Sequence, residues 1–254
     1  MSGLFDLHGK KVLVTGANSG IGWGFAEALA DAGADLVIWG RRADRNEQAA
    51  QRLRARGVKV LAQQVDIADE AAVTKAFAEA VDGGDSPLTA VFANAGITLK
   101  HQKVQDVTAE MLKLAISVNQ LGTLFTAREA ARYMIGRGQG GSIVLTGSLT
   151  SMVGYRHGAL AYSMTKGAIE AATRVMAAEL GQYNIRVNCI VPGAIESELS
   201  YPQSIVDHLK VITPLGRPGK PSEMGGLAVY FASNASTFQT GSCVVIDGGQ
   251  RILK

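Results

Sequence analysis

Thr15-Gly16-Ala17-Asn18-Ser19-Gly20-Ile21-Gly22 is the stretch of sequence that decides the fold, because it joins an apolar run to a helical pattern. The run before it, Val12-Leu13-Val14, is typical of a buried strand, and apolar residues at helical spacing follow from about Trp23. Glycines at such a turn allow the backbone to approach a pyrophosphate closely, and the first N–H groups of the helix attract its negative charge. The stretch therefore predicts a strand, a glycine turn and a helix that hold a nucleotide.

The alternation of short apolar runs with longer helical patterns continues along the chain. Seven runs are candidate strands, at residues 12–15, 36–39, 58–61, 90–93, 142–145, 185–190 and 243–246. Segments with helical spacing lie between them, for example at residues 24–32, 70–81 and 168–180. Right-handed crossovers place helices on both faces of a parallel sheet, so we predict an α/β fold with a doubly wound, seven-stranded parallel sheet. No linker interrupts the pattern, and residues 1–254 are expected to form one domain.

The composition limits the class of protein. With 254 residues, of which 47% are hydrophobic, the chain can bury a core without disulfides or a metal. The net charge of +3 is small and basic residues are mixed with acidic ones, which disfavours nucleic acid as a partner. No segment has the apolar length of a signal peptide or a membrane span, so we expect a cytoplasmic protein with no membrane partner. No Cys or His spacing predicts a metal site.

The longest stretch without a regular pattern runs over residues 193–219 and contains Pro202, Pro214 and Pro218. In an open parallel sheet the ligand binds beyond the carboxyl ends of the strands, where such a segment can cover it. We therefore expect residues 193–219 to cover the substrate.

The glycine spacing, Gly-x-x-x-Gly-x-Gly, resembles that of the short-chain dehydrogenase/reductase family, which has a Rossmann-type fold. Asp66-Ile67 after the third candidate strand, Asn94-Ala95-Gly96 after the fourth and Pro192-Gly193 after the sixth also match, and the resemblance covers residues 11–249. It implies a nicotinamide cofactor with Asp66 against the adenine, although helix capping is an alternative role for Asp66. The expected cofactor-binding residues are Gly16, Asn18, Ser19, Gly20, Ile21, Gly22, Arg41, Asp66, Ile67, Asn94, Ala95, Gly96, Tyr162, Lys166, Pro192, Gly193, Ile195 and Ser197.

Tyr162 and Lys166 are four residues apart, which places their side chains next to each other on one face of a helix. Ser148 follows the fifth candidate strand, and Asn119 lies upstream of it. In this order the four residues resemble the family's catalytic Asn, Ser, Tyr and Lys. The alternatives are a strand-end hydroxyl that satisfies the backbone for Ser148 and a helix interruption for Asn119.

The resemblance implies hydride transfer between the nicotinamide and a ketone or secondary alcohol, which also requires a proton on oxygen. A free phenol, with a pKa of about 10, exchanges protons poorly near neutral pH, and a neighbouring ammonium favours the phenolate. Tyr162 is therefore expected to be the general acid/base, with Lys166 beside it and on the cofactor ribose. Ser148 is expected to donate a hydrogen bond to the carbonyl oxygen, and Asn119 to hold a water that relays protons through Lys166.

The end of the second candidate strand, Ile38-Trp39-Gly40-Arg41-Arg42, bears on the choice of cofactor. An acidic residue there would bind the ribose 2′-hydroxyl and repel a 2′-phosphate, but Gly40 occupies that position. Arg41 stands where NADP-dependent relatives often carry an arginine, so NADP(H) is favoured. NAD(H) is the alternative, because Asn18-Ser19 supplies no second basic group and Arg41 and Arg42 also suit a solvated turn.

Three functions are compared. The intact set of four residues favours an oxidoreductase that acts on a small polyol, sugar or xenobiotic ketone. A β-ketoacyl carrier-protein reductase is an alternative, because Pro192-Gly193-Ala194-Ile195-Glu196-Ser197 is similar to a motif of that group; Arg137 is a candidate contact for the acidic carrier, but Gln182-Tyr183 stands where an arginine is frequent. A nucleotide-binding sensor without turnover is the third. The identity of the substrate stays open. Residues 150–160 and 194–213 mainly set the shape of the pocket, and no motif in them identifies a ligand.

The resemblance also implies a homo-oligomer, a tetramer. Two apolar segments, residues 227–231 and 251–253, are candidate interface segments, although such runs usually belong to the core.

Overall fold

A sheet of seven parallel strands forms the centre of the molecule, as the sequence predicted. The computed structural model describes residues 3–82, 86–99, 103–154, 158–196 and 203–253. The strands are β1 (Lys11–Thr15), β2 (Asp35–Gly40), β3 (Val60–Gln64), β4 (Leu88–Ala93), β5 (Gly141–Thr146), β6 (Ile185–Pro192) and β7 (Cys243–Ile246). Their spatial order is β3-β2-β1-β4-β5-β6-β7. The order reverses between β1 and β4, which opens a crevice at the carboxyl ends of these two strands.

Helices cover both faces of this sheet. They are α1 (Gly20–Asp31), α2 (Ala43–Arg54), α3 (Glu70–Asp82), α4 (Ala109–Ala115), α5 (Thr123–Arg137), α6 (Leu160–Leu180), α7 (Gln203–Ile212) and α8 (Gly225–Ala232). Within the described ranges, no helix combines the length and the apolar character that crossing a membrane requires.

Alternate residues of each strand supply two separate hydrophobic layers. In β1, Val12 and Val14 join the layer that contains Phe25 of α1. Leu13 between them points to the other face and joins the layer that contains Phe77 of α3. These side chains are at most 4% exposed, and burial of each stabilises the fold by about 1.5–3 kcal/mol before entropy is counted. Near-continuous apolar strands are thus explained by burial on both faces.

The third strand lies two residues later than predicted. The sequence indicated residues 58–61, whereas β3 spans Val60–Gln64 and pairs Leu36 of β2 with Val60. Its polar end is accommodated because Gln63 Oε1 accepts a hydrogen bond from Trp39 Nε1 at 2.7 Å, and Gln63 Nε2 donates to the carbonyl oxygen of Ala76 at 3.1 Å. Gln63 is therefore tolerated in this edge strand because its side chain is hydrogen-bonded on both sides. A search for apolar runs does not reveal such a polar strand residue.

Two helical regions also differ from the prediction. The helical pattern at residues 168–180 and the helix predicted to carry Tyr162 and Lys166 form one helix that begins at Leu160; the apolar pattern misses its first turns because they carry the polar residues of the site. The segment at residues 193–219 is not wholly irregular, since α7 (Gln203–Ile212) lies within it. Its Ile-Val-x-x-Leu-x-x-Ile pattern is amphipathic, but the flanking prolines obscured it. Residues 197–202 lie outside the described part of the chain.

Gly24 allows α1 to pack directly on the turn Pro221–Met224. A Cβ atom at this position would lie 1.9 Å from the backbone oxygen of Pro221. The obstacle is a backbone atom, so it cannot rotate away as a flexible side chain would. Any side chain at residue 24 must push α1 and this turn apart.

We expect Gly24→Ala to lower the free energy of unfolding by about 1–3 kcal/mol through overpacking, as measured by urea denaturation. The matched control is Gly226→Ala in α8, where no atom lies within 4 Å of the added methyl group. That substitution should leave stability unchanged or raise it by up to about 1 kcal/mol. Equal stability of the two variants would show that the α1 contact is looser than the structure has it.

Candidate active site

A groove of about 860 Å³ runs across the carboxyl ends of the strands at the point where their order reverses. It is lined by all of the residues that the sequence predicted for cofactor and catalysis except Asn119 and Ser197. Ser197 lies outside the described residues. The lining residues that the prediction did not include are Trp39, Gly40, Arg42, Val65, Ile97, Thr98, Val118, Thr146, Gly147 and Glu196.

Close packing excludes side chains at two glycines of the turn, Gly16 and Gly22. Gly16 has a φ of +68°, and its N–H donates to the carbonyl oxygen of Trp39 at 2.7 Å. A Cβ on Gly22 would lie 2.1 Å from the Gly16 carbonyl oxygen and 2.7 Å from Asn94 Nδ2. The first turn of α1 carries no acidic residue and begins at the groove. Its open N–H groups and close backbone approach fit a pyrophosphate.

Asn94 ties three strand ends together beneath this turn. Its Nδ2 donates to the Thr15 carbonyl oxygen at 3.0 Å, and its Oδ1 accepts from Thr146 Oγ1 at 3.2 Å. The Thr15 hydroxyl in turn accepts from the backbone N–H groups of Asn94 and Ala95, each at 2.9 Å. The side chain of Asn94 thus holds β1, β4 and β5 together at the groove floor, and the cofactor contact predicted for this residue stays a prediction.

At the end of β2, Gly40 leaves room that the side chains of Asn18 and Asn46 fill. A Cβ here would lie 2.4 Å from Asn46 Oδ1 and 2.6 Å from Asn18 Nδ2. Arg41 and Arg42 follow directly, both exposed and both on the groove wall. An acidic side chain at residue 40 therefore cannot fit without displacing these two amides, whereas two positive charges stand beside the position.

Asn46 is a residue that the sequence analysis missed. It is 2% exposed, and its Nδ2 donates to the carbonyl oxygens of Gly40 at 2.8 Å and Gln63 at 2.9 Å. Its Oδ1 accepts from Asn18 Nδ2 at 2.6 Å. The available signal was a polar residue on the apolar face that Ala49, Ala50 and Leu53 continue along α2. Asn46 fixes the side chain of Asn18 in the glycine turn.

Asp66 and Ile67 form the next part of the wall. Asp66 Oδ1 accepts a hydrogen bond from the backbone N–H of Ala68 at 3.0 Å. The N-terminal turn of α3 is capped by Asp69, whose Oδ1 accepts from the backbone N–H of Ala72 at 3.1 Å. The helix-capping role considered for Asp66 is therefore filled by Asp69. The Asp66 carboxylate is exposed on the groove, with a second oxygen available to a ligand.

Tyr162 and Lys166 both face the groove from α6. Lys166 is 3% exposed, and its Nζ donates to the carbonyl oxygen of Thr146 at 2.8 Å. The same Nζ lies 5.6 Å from the centroid of the Tyr162 ring. Ser148 follows Thr146, and its Oγ accepts from the Thr150 N–H at 3.3 Å and from Thr150 Oγ1 at 3.1 Å. These bonds leave the hydroxyl proton of Ser148 available for donation into the groove.

Asn119 lies just behind the groove, in a wide π-helical turn (Ile116–Gly122) between α4 and α5. It is fully buried, and its amide both donates to the Ile97 carbonyl oxygen at 2.9 Å and accepts from the Ile97 N–H at 2.7 Å. A Cβ on Gly96 would lie 3.0 Å from Asn119 Oδ1 and 3.8 Å from Lys166 Nζ. The helix interruption considered for Asn119 is therefore present, and it brings this residue next to Lys166.

A pair of thiols lies under the site. Cys189 of β6 and Cys243 of β7 are directly opposite each other, and both are free. The hydrogen bond with Cys243, together with burial, raises the pKa of the Cys189 thiol well above its usual range. A Cβ on Gly147 would lie 3.0 Å from Cys189 Sγ, so this neutral thiol packs against the strand end that carries Ser148.

Comparison with known proteins identifies the family. A family model described as enoyl-(acyl carrier protein) reductase matches residues 16–251. Sorbose reductase of Schizosaccharomyces pombe is 32% identical over 253 residues, an alignment that covers 98% of this chain and 98% of that protein.

Solved structures agree over the full length. A short-chain type dehydrogenase/reductase from Mycobacterium marinum has a TM-score of 0.91 and 36% identity, over 97% of each chain. A gluconate 5-dehydrogenase from Burkholderia cenocepacia J2315, in complex with NADP and tartrate, has a TM-score of 0.91 and 32% identity, over 99% of this chain and 98% of that one. On these grounds the chain belongs to the short-chain dehydrogenase/reductase family of oxidoreductases, which use a nicotinamide cofactor.

Proposed function

We propose that this protein is an NADP(H)-dependent oxidoreductase for a ketone or secondary alcohol of a small polyol or sugar, with Tyr162 as general acid/base. The observation that carries this proposal is that Tyr162, Lys166 and Ser148 line the same groove as the glycine turn. One end of the groove thus suits a nucleotide pyrophosphate, and the other collects the groups that proton transfer and oxyanion stabilisation need.

Each residue of the site has a distinct part in this mechanism. Ser148 donates a hydrogen bond to the substrate oxygen, which stabilises negative charge as it develops. Tyr162 gives its proton to that oxygen during reduction and takes it back during oxidation. The bound cofactor supplies or accepts the hydride. Lys166 favours the phenolate of Tyr162 by its charge, and Asn119 holds the water through which Lys166 is reprotonated.

The burial of Lys166 supports its second role on the cofactor ribose. An ammonium that is 3% exposed has one described acceptor, the Thr146 carbonyl oxygen, although it carries three donors. A buried cation with open donors is costly unless further acceptors reach it. Ribose hydroxyls in the groove would supply them.

The preference for NADP(H) rests on the end of β2. Gly40 carries no carboxylate to repel a 2′-phosphate, and the amides of Asn18 and Asn46 already occupy the space that such a side chain would take. Arg41 lies exposed on the groove wall, free to turn its guanidinium toward the ligand. The complex of the Burkholderia relative contains NADP. NAD(H) is the cofactor that this arrangement favours less.

The substrate class follows from relatives and not from the pocket. Sorbose and gluconate in the names of two relatives favour a polyhydroxylated substrate, such as a small polyol or sugar. The carrier-protein alternative rested partly on Arg137, which lies at the amino ends of the strands, away from the groove. The similarity of residues 192–197 to a motif of that group is its remaining support, and no contact between described residues favours it or a sensor without turnover.

We expect Tyr162→Phe to lower kcat by about 10²- to 10⁴-fold and to leave the Kd of the cofactor within a few-fold, because the proton is lost and the ring is kept. Stopped-flow turnover and fluorescence titration of the cofactor measure the two quantities. Tyr183→Phe removes the same hydroxyl from an exposed ring outside the groove and should change neither. Retention of a tenth of the kcat by Tyr162→Phe would contradict the assignment.

For the cofactor, kcat/KM of the unmodified protein should be higher with NADPH than with NADH. Arg41→Ala should reduce the NADPH value by about tenfold or more, the scale of a lost charge-assisted hydrogen bond, and leave the NADH value almost unchanged. The control is Arg54→Ala, at the far end of α2, which removes the same charge outside the groove and should change neither value. A preference for NADH, or an NADPH preference that survives Arg41→Ala, would exclude Arg41 as the selecting residue.

We also propose that the protein acts in the cytoplasm as a homotetramer. Of the two apolar segments considered from the sequence, residues 227–231 contribute Ala228 and Phe231 to the core. In contrast, Ile252 is 72% exposed, and Phe238 is fully exposed. These two residues flank β7, the edge strand of the sheet, whose residues are only half-buried. Exposed apolar residues beside an unpaired strand edge favour association with another copy.

Sedimentation velocity at micromolar concentration should therefore show an oligomer, and the double substitution Phe238→Ser with Ile252→Ser should shift it toward smaller species. The control is Val211→Ser, which removes a 76% exposed apolar side chain from α7. A stable monomer of the unmodified protein would refute the proposal.

A further inference from the structure

A second cavity, of about 450 Å³, lies at the opposite end of the sheet from the active-site groove. It is bordered by residues at or next to the amino ends of β1, β4, β5 and β6, among them Lys10, Pro87, Ser142 and Arg186. Strands of this length separate the two sites by roughly 15–25 Å. We call it the amino-end cavity; nothing in the proposed reaction uses it.

The wall of the amino-end cavity carries positive charge alone. Lys10, Arg137 and Arg186 line it together with His8, and none of the described residues that line it is acidic. The carboxylate of Asp6, which attracts Lys10, is hydrogen-bonded to the ring and backbone of His8. Lys10 Nζ donates to the neutral amide oxygen of Asn234 at 3.2 Å. Three permanent cations thus share one cavity, and none of them forms an ion pair with a described carboxylate.

The guanidinium groups are only partly satisfied by the protein. Arg137 Nη2 donates to the Gly140 carbonyl oxygen at 2.9 Å, and Arg186 Nη2 donates to the Phe231 carbonyl oxygen at 2.8 Å. Arg137 Nε, Arg137 Nη1 and Arg186 Nη1 are buried and have no acceptor among the described residues. Buried donors are almost always paired with protein, water or an ion, so these three indicate a missing acceptor.

The pKa shifts of two basic residues of the cavity are also consistent with a missing anion. Burial lowers the pKa of Arg186. Burial also lowers the pKa of Lys10, and the positive charge of Arg186 lowers it further, against the attraction of Asp6. Both shifts mean that the charged forms are held at a cost. A negative charge in the cavity would remove that cost.

We propose that the amino-end cavity binds a phosphate-type oxyanion. Two planar guanidinium groups and one ammonium supply donors from several directions, which suits a tetrahedral dianion better than a single carboxylate. The cavity is larger than inorganic phosphate, so the phosphate group of a small organic monoester fits the same chemistry. Either source would be a ligand separate from the cofactor, because the nucleotide groove lies at the other end of the strands.

The test measures binding to the full-length protein saturated with its nicotinamide cofactor, so that the active-site groove is filled. Inorganic phosphate is titrated by calorimetry at constant ionic strength, because weak charge effects depend on salt. We expect one saturable site. Asn234→Asp places a carboxylate of the same size on Lys10 and should weaken phosphate binding by at least about tenfold. Arg137→Gln should weaken it similarly.

The control is Arg132→Gln, which removes the same charge from the exposed face of the same helix and should leave phosphate binding within about twofold. Glycerol 2-phosphate, a simple monoester, distinguishes the two sources: tighter binding than phosphate identifies an organic phosphate, and equal binding identifies the free ion. If a variant is poorly folded, Arg137→Lys keeps the charge and should retain part of the affinity.

Three results would overturn the proposal. They are the absence of saturable phosphate binding, phosphate binding that is unchanged in both Asn234→Asp and Arg137→Gln, and an equal loss of binding in Arg132→Gln. The last would show a general effect of net charge. None of these outcomes bears on Tyr162 or the cofactor, so the proposal fails or stands independently of the proposed function.

Discussion

The contact between Gly22 and the carbonyl oxygen of Gly16 is the constraint on which the rest of the site depends. Because no side chain fits between them, the first turn of α1 lies directly on the end of β1. The Thr15 hydroxyl then accepts two backbone N–H groups from the segment after β4, and Asn94 returns a bond to Thr15. Close backbone approach thus locks the two strands at which the order of the sheet reverses, and this is where the groove opens.

The part of the groove that Tyr162, Lys166 and Ser148 line is attached to the same strand ends. Thr146 donates through its hydroxyl to Asn94 and accepts through its carbonyl oxygen from Lys166. One residue at the end of β5 therefore connects the floor beneath the nucleotide turn with the ammonium beside Tyr162. The position of Tyr162 in the groove is set by packed elements, because β5 and α6 both contribute residues to the core.

Local patterns explain why much of this could be predicted from the sequence. The glycine turn, the i and i+4 spacing of Tyr162 and Lys166, and the apolar strands are each encoded within a few residues. Asn46 bonds Gly40, 6 positions away in the chain, but also Gln63 and Asn18, which are 17 and 28 positions away, and an isolated asparagine in α2 carries no sign of these contacts. The position of β3 was likewise set by its pairing with β2, whereas α7 has a local pattern that the flanking prolines obscured.

The two ends of the sheet differ in charge for a physical reason. Helix N-termini meet at the carboxyl ends of the strands and favour an anion there, whereas helix C-termini meet at the amino ends and favour cations. Arg186 bonds the Phe231 carbonyl oxygen in the last turn of α8, and Arg137 closes the last turn of α5. Each helix end contributes roughly half a negative charge, so two of them offset about one of the three permanent cations. The helix dipoles explain why arginines are found at this end of the sheet, but they leave a positive surplus, which the proposed oxyanion would neutralise.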